Sequence, residues 1–217
     1  MHHISLGTTN PGKVREFAGI LSPLGISLGV VEADIPETGS TFEENARIKT
    51  LGYAKLCPGQ VVFAEDSGIV IPALNNLPGP WSARFHDLVV DRDNKPMHVI
   101  SSGLERDAID TLNNERVIRM MAEVEEPYRA AFFYVRLMVA RDEEILYEGS
   151  GETHGWIAPE MRGTSGFGYD PVFIGQDTFG KTYAELDSVR KNLRSHRRKV
   201  IREFAFWVGN AMREGQL

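Results

Sequence analysis

The stretch ISLGTTNPGKVREF, residues 4–17, contains the patterns of a strand, a loop and the start of a helix, in that order. Its first four residues are typical of a short buried strand. Asn10 can cap a helix, and Pro11 suits the first helical position. Apolar residues then recur at helical spacing until Gly25, where the run ends. The pattern therefore predicts a helix that begins directly after the loop.

The loop itself, GTTNPGK (residues 7–13), has the glycine and lysine spacing of a phosphate-binding P-loop without its last residue. A P-loop continues with Ser or Thr, whose hydroxyl holds Mg²⁺, whereas Val14 follows Lys13 here. The N–H groups and dipole of a helix N-terminus still favour anions, and Lys13 adds a positive charge. Taken alone, the stretch fits a degenerate P-loop, a different phosphate loop or an ordinary glycine turn.

Strand and helix patterns alternate in the first part of the chain. Residues 26–31 and 61–64 are typical of strands, and the second strand is expected to end at the sequence EDSG, residues 65–68. IVIPAL then predicts a further extended piece. Between the two strands, a capping box at residues 41–44 predicts a helix that runs to about residue 56.

The later part of the chain adds a helix at residues 104–122 and a nearly apolar stretch at 128–140. That stretch favours a central strand covered on both faces, and RDEE then turns the chain into a hairpin. The final helix carries an apolar face between residues 200 and 208. Early alternation followed by a long hairpin predicts a mixed α/β fold with one extended sheet.

Composition narrows the class of protein. The 217 residues suffice for one good-sized domain or two lobes that share a core. No apolar run approaches the ~20 residues needed to span a bilayer, and no signal-peptide pattern is present. Cys57 is the single cysteine, which fits a reducing compartment, so we expect a cytoplasmic protein away from membranes. The net charge of −6 argues against a nucleic-acid binder.

Acidic side chains lie where an α/β sheet usually places its ligands. Glu65 and Asp66 follow a buried strand, and Glu37 lies in a turn. Mg²⁺ prefers oxygen ligands, so one to three carboxylates with substrate phosphates would suffice. Neighbouring residues in a strand point to opposite faces, so both acids reach one metal only if the chain turns at Ser67-Gly68. Lys49, on the preceding helix, could reach a phosphate or be solvated.

Two late segments carry further candidate residues. GTSGFGYDP, residues 163–171, combines flexible glycines with two aromatic rings and an acid, which a plain turn does not explain. Ser195 can cap the last helix, and this places His196 and Arg197 in its first turn. Positive charge there is unfavourable for the helix, so an anion or a carbonyl-rich ligand is a reason for it.

These segments, in this order, resemble the inosine triphosphate pyrophosphatase family. The matching motifs are T-x-N-x-x-K (8–13), ETGSTFEENARIK (37–49), EDSG (65–68), ALNNLPGPWSARF (73–85), GFGYDPVF (166–173) and KTYAEL…KN…SHR (181–197). Each is weak alone, but the ordered set is specific and spans nearly the whole chain. Three features depart from the family: Glu65 stands where Asp is usual, residues 86–104 match no familiar motif, and Arg198 follows SHR where small residues are common.

The resemblance implies a fold, a reaction and an assembly. The family has an elongated central sheet flanked by helices in two lobes, with the active-site cleft between them, so residues 1–217 would form a single domain of this type. It hydrolyses non-standard purine nucleoside triphosphates (ITP, dITP, XTP) between the α and β phosphates, with Mg²⁺, to a monophosphate and pyrophosphate. A homodimer is expected on the same ground, with the nucleotide as ligand and no nucleic acid.

The resemblance also implies a role for each matching residue. Those associated with the metal are Glu37, Glu65 and Asp66. The catalytic residues are Asp66, as general base, and Lys13. Contacts to phosphates and sugar would come from Thr8, Thr9, Asn10, Lys13, Lys49 and Ser67. The base would be bound by Phe167, Gly168, Tyr169, Asp170, Lys191, His196 and Arg197.

Elementary chemistry agrees with recognition of the purine base by hydrogen-bond donors of the protein. His196 and Arg197 can donate to the 6-oxo group of hypoxanthine or xanthine, whereas the amino group of adenine would face them as another donor. A buried unpaired donor costs ~1–3 kcal/mol, which explains rejection of ATP but not of GTP.

Three alternative functions stay open at this point. Glu65 and the unusual 86–104 segment are compatible with a nucleotide-binding module that has lost catalysis. The glycine and lysine spacing of residues 7–13 is compatible with a P-loop ATPase or kinase, although Val14 opposes it. A related pyrophosphatase that acts on modified pyrimidine nucleotides would share the same architecture.

Overall fold

The computed structural model describes residues 2–213. Within them the strands are β1 (His2–Gly7), β2 (Ile26–Val31), β3 (Val61–Val70), β4 (Leu88–Val90), β5 (Pro96–Val99), β6 (Ala130–Arg141), β7 (Glu144–Ile157) and β8 (Phe173–Gly175). The α-helices are α1 (Pro11–Leu21), α2 (Phe42–Leu56), α3 (Arg106–Met120), α4 (Ser188–Arg194) and α5 (His196–Arg213). None of the described helices is long and apolar enough to cross a membrane.

Six strands form one mixed sheet in the order β2-β1-β3-β6-β7-β8, which confirms the predicted α/β class with an extended sheet. Strand β1 pairs in parallel with β2 and β3, and β7 pairs antiparallel with β8. The hairpin predicted at RDEE is present, with a turn at residues 142–143 between β6 and β7. Residues 86–104 contain a separate antiparallel ribbon of β4 and β5.

The chain divides into two compact units. The first comprises Met1–Asp66, Val135–Glu152 and Ser195–Leu217, and the second comprises Ser67–Tyr134 and Thr153–Arg194. The core of the first is built mainly from β1, β3, β6, α1 and the predicted apolar face of α5. The core of the second contains the end of β3, α3 and the aromatic side chains that precede α4.

Local capping signals predicted the helix boundaries well. Helix α2 begins after Thr41 with the expected capping box and ends at Leu56. The Oγ of Ser195 accepts the N–H of Arg198 at 3.1 Å and so caps α5. Both motifs act over four residues or fewer, which is why the sequence alone reveals them.

The predicted end of β3 at Glu65 is wrong, because this strand continues to Val70. The extended piece predicted at IVIPAL is confirmed only in its first half, where Ile69 and Val70 continue β3, whereas Pro72–Leu74 form a 3₁₀ helix. Gly68 gives the physical reason. A Cβ at that position would lie 2.1 Å from Ser82 Oγ and 2.5 Å from the Gly79 carbonyl oxygen. Gly68 therefore lets the segment of Gly79 and Ser82 pack closely against β3, and the strand continues through it.

Candidate active site

The loop between β1 and α1 is built by its own side chains. Asn10 Oδ1 accepts the N–H groups of Gly12 at 2.8 Å and Lys13 at 3.3 Å, and it thereby caps α1 as predicted. Thr8 Oγ1 accepts the N–H of Asn10 at 3.1 Å. Because Asn10 satisfies these helical N–H groups and Pro11 has none, the expectation that outward-pointing N–H groups attract anions is corrected. The features of this loop that favour an anion are then the Lys13 ammonium group and the helix dipole.

Gly7 is required for packing in this loop. A Cβ on Gly7 would lie 2.1 Å from the ring of Tyr53, whose hydroxyl donates to the carbonyl of Ala33 at 2.8 Å. The aromatic ring therefore lies directly against the backbone where β1 ends. The first glycine of the apparent P-loop spacing therefore serves this packing contact.

A buried ion-pair network joins the start of α1 to β3 and α5. Glu65 Oε1 lies 3.2 Å from Lys13 Nζ and 3.0 Å from Arg197 Nε. Arg197 Nη1 also donates to Glu16 Oε2 at 2.7 Å. Glu65 is therefore engaged by two cations, and Arg197 by two carboxylates. His196, predicted with Arg197 to read the base, is the first residue of α5 and is buried.

A second charged group contains Glu37 and Asp66, which we call the carboxylate pair. Lys49 Nζ lies 2.8 Å from Glu37 Oε1 and 3.9 Å from Asp66 Oδ1, so one cation approaches both acids. Asn45 Oδ1 accepts the N–H of Gly39 at 2.8 Å and fixes the turn that follows Glu37. Helix α2 thus positions one acid through Asn45 and contacts both through Lys49.

Burial and charge set the protonation states of this group. Burial raises the pKa of Asp66 to about 7, with Lys49 opposing and Glu37 adding to the rise. Burial also disfavours the charge of Lys49, but Glu37 and Asp66 more than offset this and raise its pKa. For Glu37 the attraction of Lys49 outweighs burial, and the pKa is lowered. Burial lowers the pKa of Lys13 despite the nearby Glu65. Asp66 is thus a carboxyl group that titrates near neutrality.

In the second unit, residues 163–171 form what we call the aromatic loop. Asp170 Oδ2 accepts the N–H of Phe167 at 2.8 Å and lies 2.6 Å from Lys191 Nζ. The Lys191 ammonium group also lies 4.5 Å from the centre of the Phe167 ring. A Cβ on Gly166 would come within 1.9 Å of Asp170 Oδ2, so this close turn requires glycine. The structure therefore brings the predicted residues Phe167, Asp170 and Lys191 together.

The remaining predicted residues lie in different surroundings. The ring of Tyr169 is only 4 % exposed and its hydroxyl donates to the carbonyl of Ser82 at 2.8 Å, so it packs in the core. Sequence type alone does not separate such a buried ring from the half-buried Phe167. Thr9 is exposed before the α1 cap, and Ser67 is half-buried in β3 directly after Asp66.

Comparison with known proteins decides the family. The model of the Ham1 family matches residues 4–207 of the chain. The chain belongs to the Ham1 family. This confirms the resemblance that the ordered motifs indicated.

Several relatives and solved structures of this family are similar to the chain. A dITP/XTP pyrophosphatase of Listeria innocua is 37% identical, over 94% of this chain and 93% of its own length. One from Streptococcus pyogenes serotype M3 is also 37% identical over 94% of this chain, which spans only 59% of that relative. A HAM1 protein from Coxiella burnetii superposes with a TM-score of 0.76 at 31% identity, covering 97% of this chain and 100% of that one. The Staphylococcus aureus Ham1 protein superposes with a TM-score of 0.71 at 30% sequence identity. The match covers 96% of this chain and 98% of that one.

The donor set of this Ham1 chain fits a magnesium ion bound by two carboxylates better than by three. The described residues contain no group of three His, Cys, Asp or Glu side chains suited to a metal. Glu65 precedes Asp66 in an unbroken strand and is held by Lys13 and Arg197. The carboxylate pair also has a cation beside it, Lys49, but Asp66 Oδ2 is buried with no hydrogen-bond partner among the described residues and can therefore accept a ligand. Mg²⁺ commonly takes one or two carboxylates and completes its shell with phosphate and water.

Sequence reasoning missed two residues that build this Ham1 site. Glu16, which pairs with Arg197, and Asn45, which fixes the turn after Glu37, were not identified as functional. Both are polar residues on helix faces that are otherwise buried. Glu16 lies beside the buried apolar residues Phe17 and Ile20 of α1, and this is the signal that could have found it, because a buried polar group needs a partner. The buried face of α2 also contains Lys49 and Thr50, so Asn45 does not stand out in the same way.

Proposed function

We propose that this chain is a Mg²⁺-dependent nucleoside triphosphate pyrophosphohydrolase that acts on non-standard purine nucleotides such as ITP, dITP and XTP. The observation that carries the proposal is the carboxylate pair, in which buried Asp66 has a pKa of about 7 beside Lys49. A general base is most effective when its pKa lies near the working pH. Family membership and the relatives named dITP/XTP pyrophosphatases support the substrate class.

In this reaction one water adds across the α–β anhydride, and a nucleoside monophosphate and pyrophosphate leave. Asp66 would accept the proton of the water at its buried Oδ2. Lys13 and Lys49 would stabilise the charge that develops on the pyrophosphate, and electrostatic stabilisation of this kind is usually a large part of catalysis. Mg²⁺ held by Glu37 and Asp66 would supply charge neutralisation and lower the cost of deprotonating water.

The roles of the base-binding residues are proposed on the family resemblance. Phe167 would stack on the purine, with Asp170 and Lys191 fixing its loop or the base. His196 and Arg197 would donate to the 6-oxo group. Two N–H groups of Arg197 already donate to Glu16 and Glu65, so this side chain also holds two acids in place.

A substrate panel tests the proposed function. Pyrophosphate and inorganic phosphate are measured separately after incubation with ITP, XTP, ATP, GTP and a modified pyrimidine triphosphate, with Mg²⁺ or with a chelator. We expect Mg²⁺-dependent pyrophosphate release from ITP and XTP with kcat/KM about 100-fold above that for ATP, because a mismatched polar group leaves donors unpaired.

Other outcomes of the panel would contradict the proposal in distinct ways. Phosphate released from ATP would indicate a P-loop type of ATPase. Pyrophosphate released chiefly from the pyrimidine substrate would shift the substrate class. Tight binding of ITP in calorimetry without turnover would indicate a binding module.

We further propose that the enzyme is a cytoplasmic homodimer. The homodimer rests on the family resemblance, and the compartment on the single cysteine. Sedimentation equilibrium of the purified chain, of mass 24.2 kDa, is expected to give twice that mass. A mass that stays at the monomer value over a tenfold concentration range would contradict the dimer.

A further inference from the structure

Two polar side chains of α3 hold a single residue of the aromatic loop. Asp110 Oδ2 accepts the N–H of Gly168 at 3.0 Å, and Asn114 Nδ2 donates to the carbonyl of Gly168 at 2.9 Å. Both backbone polar groups of one glycine are therefore bonded to the same helix. The two side chains lie four residues apart, which places them on one face of α3.

This attachment controls the backbone on each side of Gly168. Its φ of 61° lies in the left-handed region, which glycine adopts without steric penalty. The N–H that Asp110 accepts belongs to the peptide plane directly after Phe167. Fixing that plane limits the directions in which the Phe167 ring can project. On the other side of the ring, the Phe167 N–H is held by Asp170.

Asn114 is a poor choice for stability alone. The residue is 2 % exposed, and its Oδ1 is buried with no hydrogen-bond partner among the residues that the structure describes. An unpaired buried acceptor is costly, and asparagine is a weak helix former. Leucine, with a similar shape, would avoid both costs. What asparagine adds is an amide group that donates a hydrogen bond to the Gly168 carbonyl. The same Nδ2 also donates to the carbonyl of Asp110 within the helix.

We propose that Asp110 and Asn114 are positioning residues that hold Phe167 in the orientation needed to stack on the purine base. The proposal rests on the proposed function, because it assigns Phe167 to base binding. Positioning a stacking ring affects the base part of the substrate and leaves the binding of the polyphosphate part unchanged. Removing such an interaction raises KM and leaves kcat nearly constant.

The principal test is Asn114→Leu, compared with Glu115→Leu at the adjacent exposed position. We expect KM for ITP to rise about 10-fold in Asn114→Leu, with kcat changed by about 3-fold or less, since one oriented hydrogen bond is lost. Inhibition by inorganic tripolyphosphate, which has no base, should be unchanged. Hydrogen exchange of residues 163–171 should become faster. Glu115→Leu should match the wild type in all of these measurements.

A second pair of variants keeps the proposal testable if Asn114→Leu does not fold. Asp110→Asn retains an oxygen that can accept the Gly168 N–H, so its KM should stay near the wild-type value, whereas Asp110→Ala should raise it. An unchanged KM in Asn114→Leu or Asp110→Ala would overturn the inference. Equal weakening of ITP and tripolyphosphate would also overturn it, because that pattern indicates a general structural role.

Measuring whether the wild-type chain binds and hydrolyses ITP and XTP separates a failure of this inference from a failure of the proposed function. If the wild type neither binds nor hydrolyses ITP and XTP, the proposed function fails and the inference fails with it. If the wild type hydrolyses ITP while the α3 variants retain its KM, the inference alone fails.

Discussion

Asp66→Asn is expected to reduce pyrophosphate release from ITP by about three orders of magnitude or more, while largely preserving nucleotide binding. The amide keeps the size of the carboxylate but cannot accept a proton from water. General-base catalysis and metal-assisted activation of water would both be impaired. Release of pyrophosphate at near the wild-type rate would remove Asp66 from the role of base.

The same substitution is expected to stabilise the substrate-free, metal-free protein at pH 8. The pKa of Asp66 is about 7 in the folded chain, against the ordinary aspartate value of 3.8. Between these values the folded chain binds more protons than the unfolded chain, so ionisation of Asp66 progressively lowers the free energy of unfolding as pH rises. The penalty is complete above the folded pKa and absent below the unfolded one.

The stabilisation by Asn should therefore depend on pH. We expect a gain on the order of 2 kcal/mol at pH 8, or about 4–8 °C in Tm, and a smaller gain at pH 5.5. Thermal unfolding followed by circular dichroism, with a chelator present, measures both. Asp34→Asn, at an exposed position of the same unit, is the matched control. Equal Tm values for Asp66→Asn and the wild type at pH 8 would show that the buried carboxylate carries no penalty.

Arg197→Met is expected to lower the free energy of unfolding by about 3–5 kcal/mol, and Tm by about 10 °C or more. The buried guanidinium group bonds to Glu16 at 2.7 Å and to Glu65 at 3.0 Å. Removing it leaves two buried carboxylates without this partner, although Lys13 still lies beside Glu65. Breaking a buried ion pair costs more than a surface pair, because water does not replace the lost partner.

Matched variants separate this cause from loss of volume. Arg202→Met changes an exposed arginine of the same helix and should leave Tm nearly unchanged. Adding Glu16→Gln to Arg197→Met should recover part of the stability, because glutamine carries no charge. A loss of unfolding free energy in Arg197→Met no larger than that in Arg202→Met would contradict the argument.

Arg197→Lys tests the proposed role of this residue in base selectivity. If the folded variant keeps the wild-type preference for ITP over ATP, the base is recognised by other residues.

The sequence predicted which residues belong to the candidate site, but it did not predict which of them form ion pairs with each other. The sequence led to Lys13, Glu37, Lys49 and Asp66 through motifs, and the structure places these charges in one interacting group. It also led to Glu65 as a metal ligand, whereas the structure pairs this residue with Lys13 and Arg197. Glu16 was not identified from the sequence, and no local pattern could have shown its pairing, because its partner Arg197 is 181 residues away.

The sequence by itself determined the family, the α/β class and the ends of the capped helices, because motifs and caps depend on residues close together in the chain. Only the tertiary structure decided where β3 ends. Glycine is needed at position 68 because Ser82 packs against it, and the sequence does not show this contact. It also decided that Tyr169 is core while Phe167 stays half-buried. The pKa of Asp66 belongs to the same class of property. It arises from burial and from charges on other elements, and no spacing of residues along the chain records either.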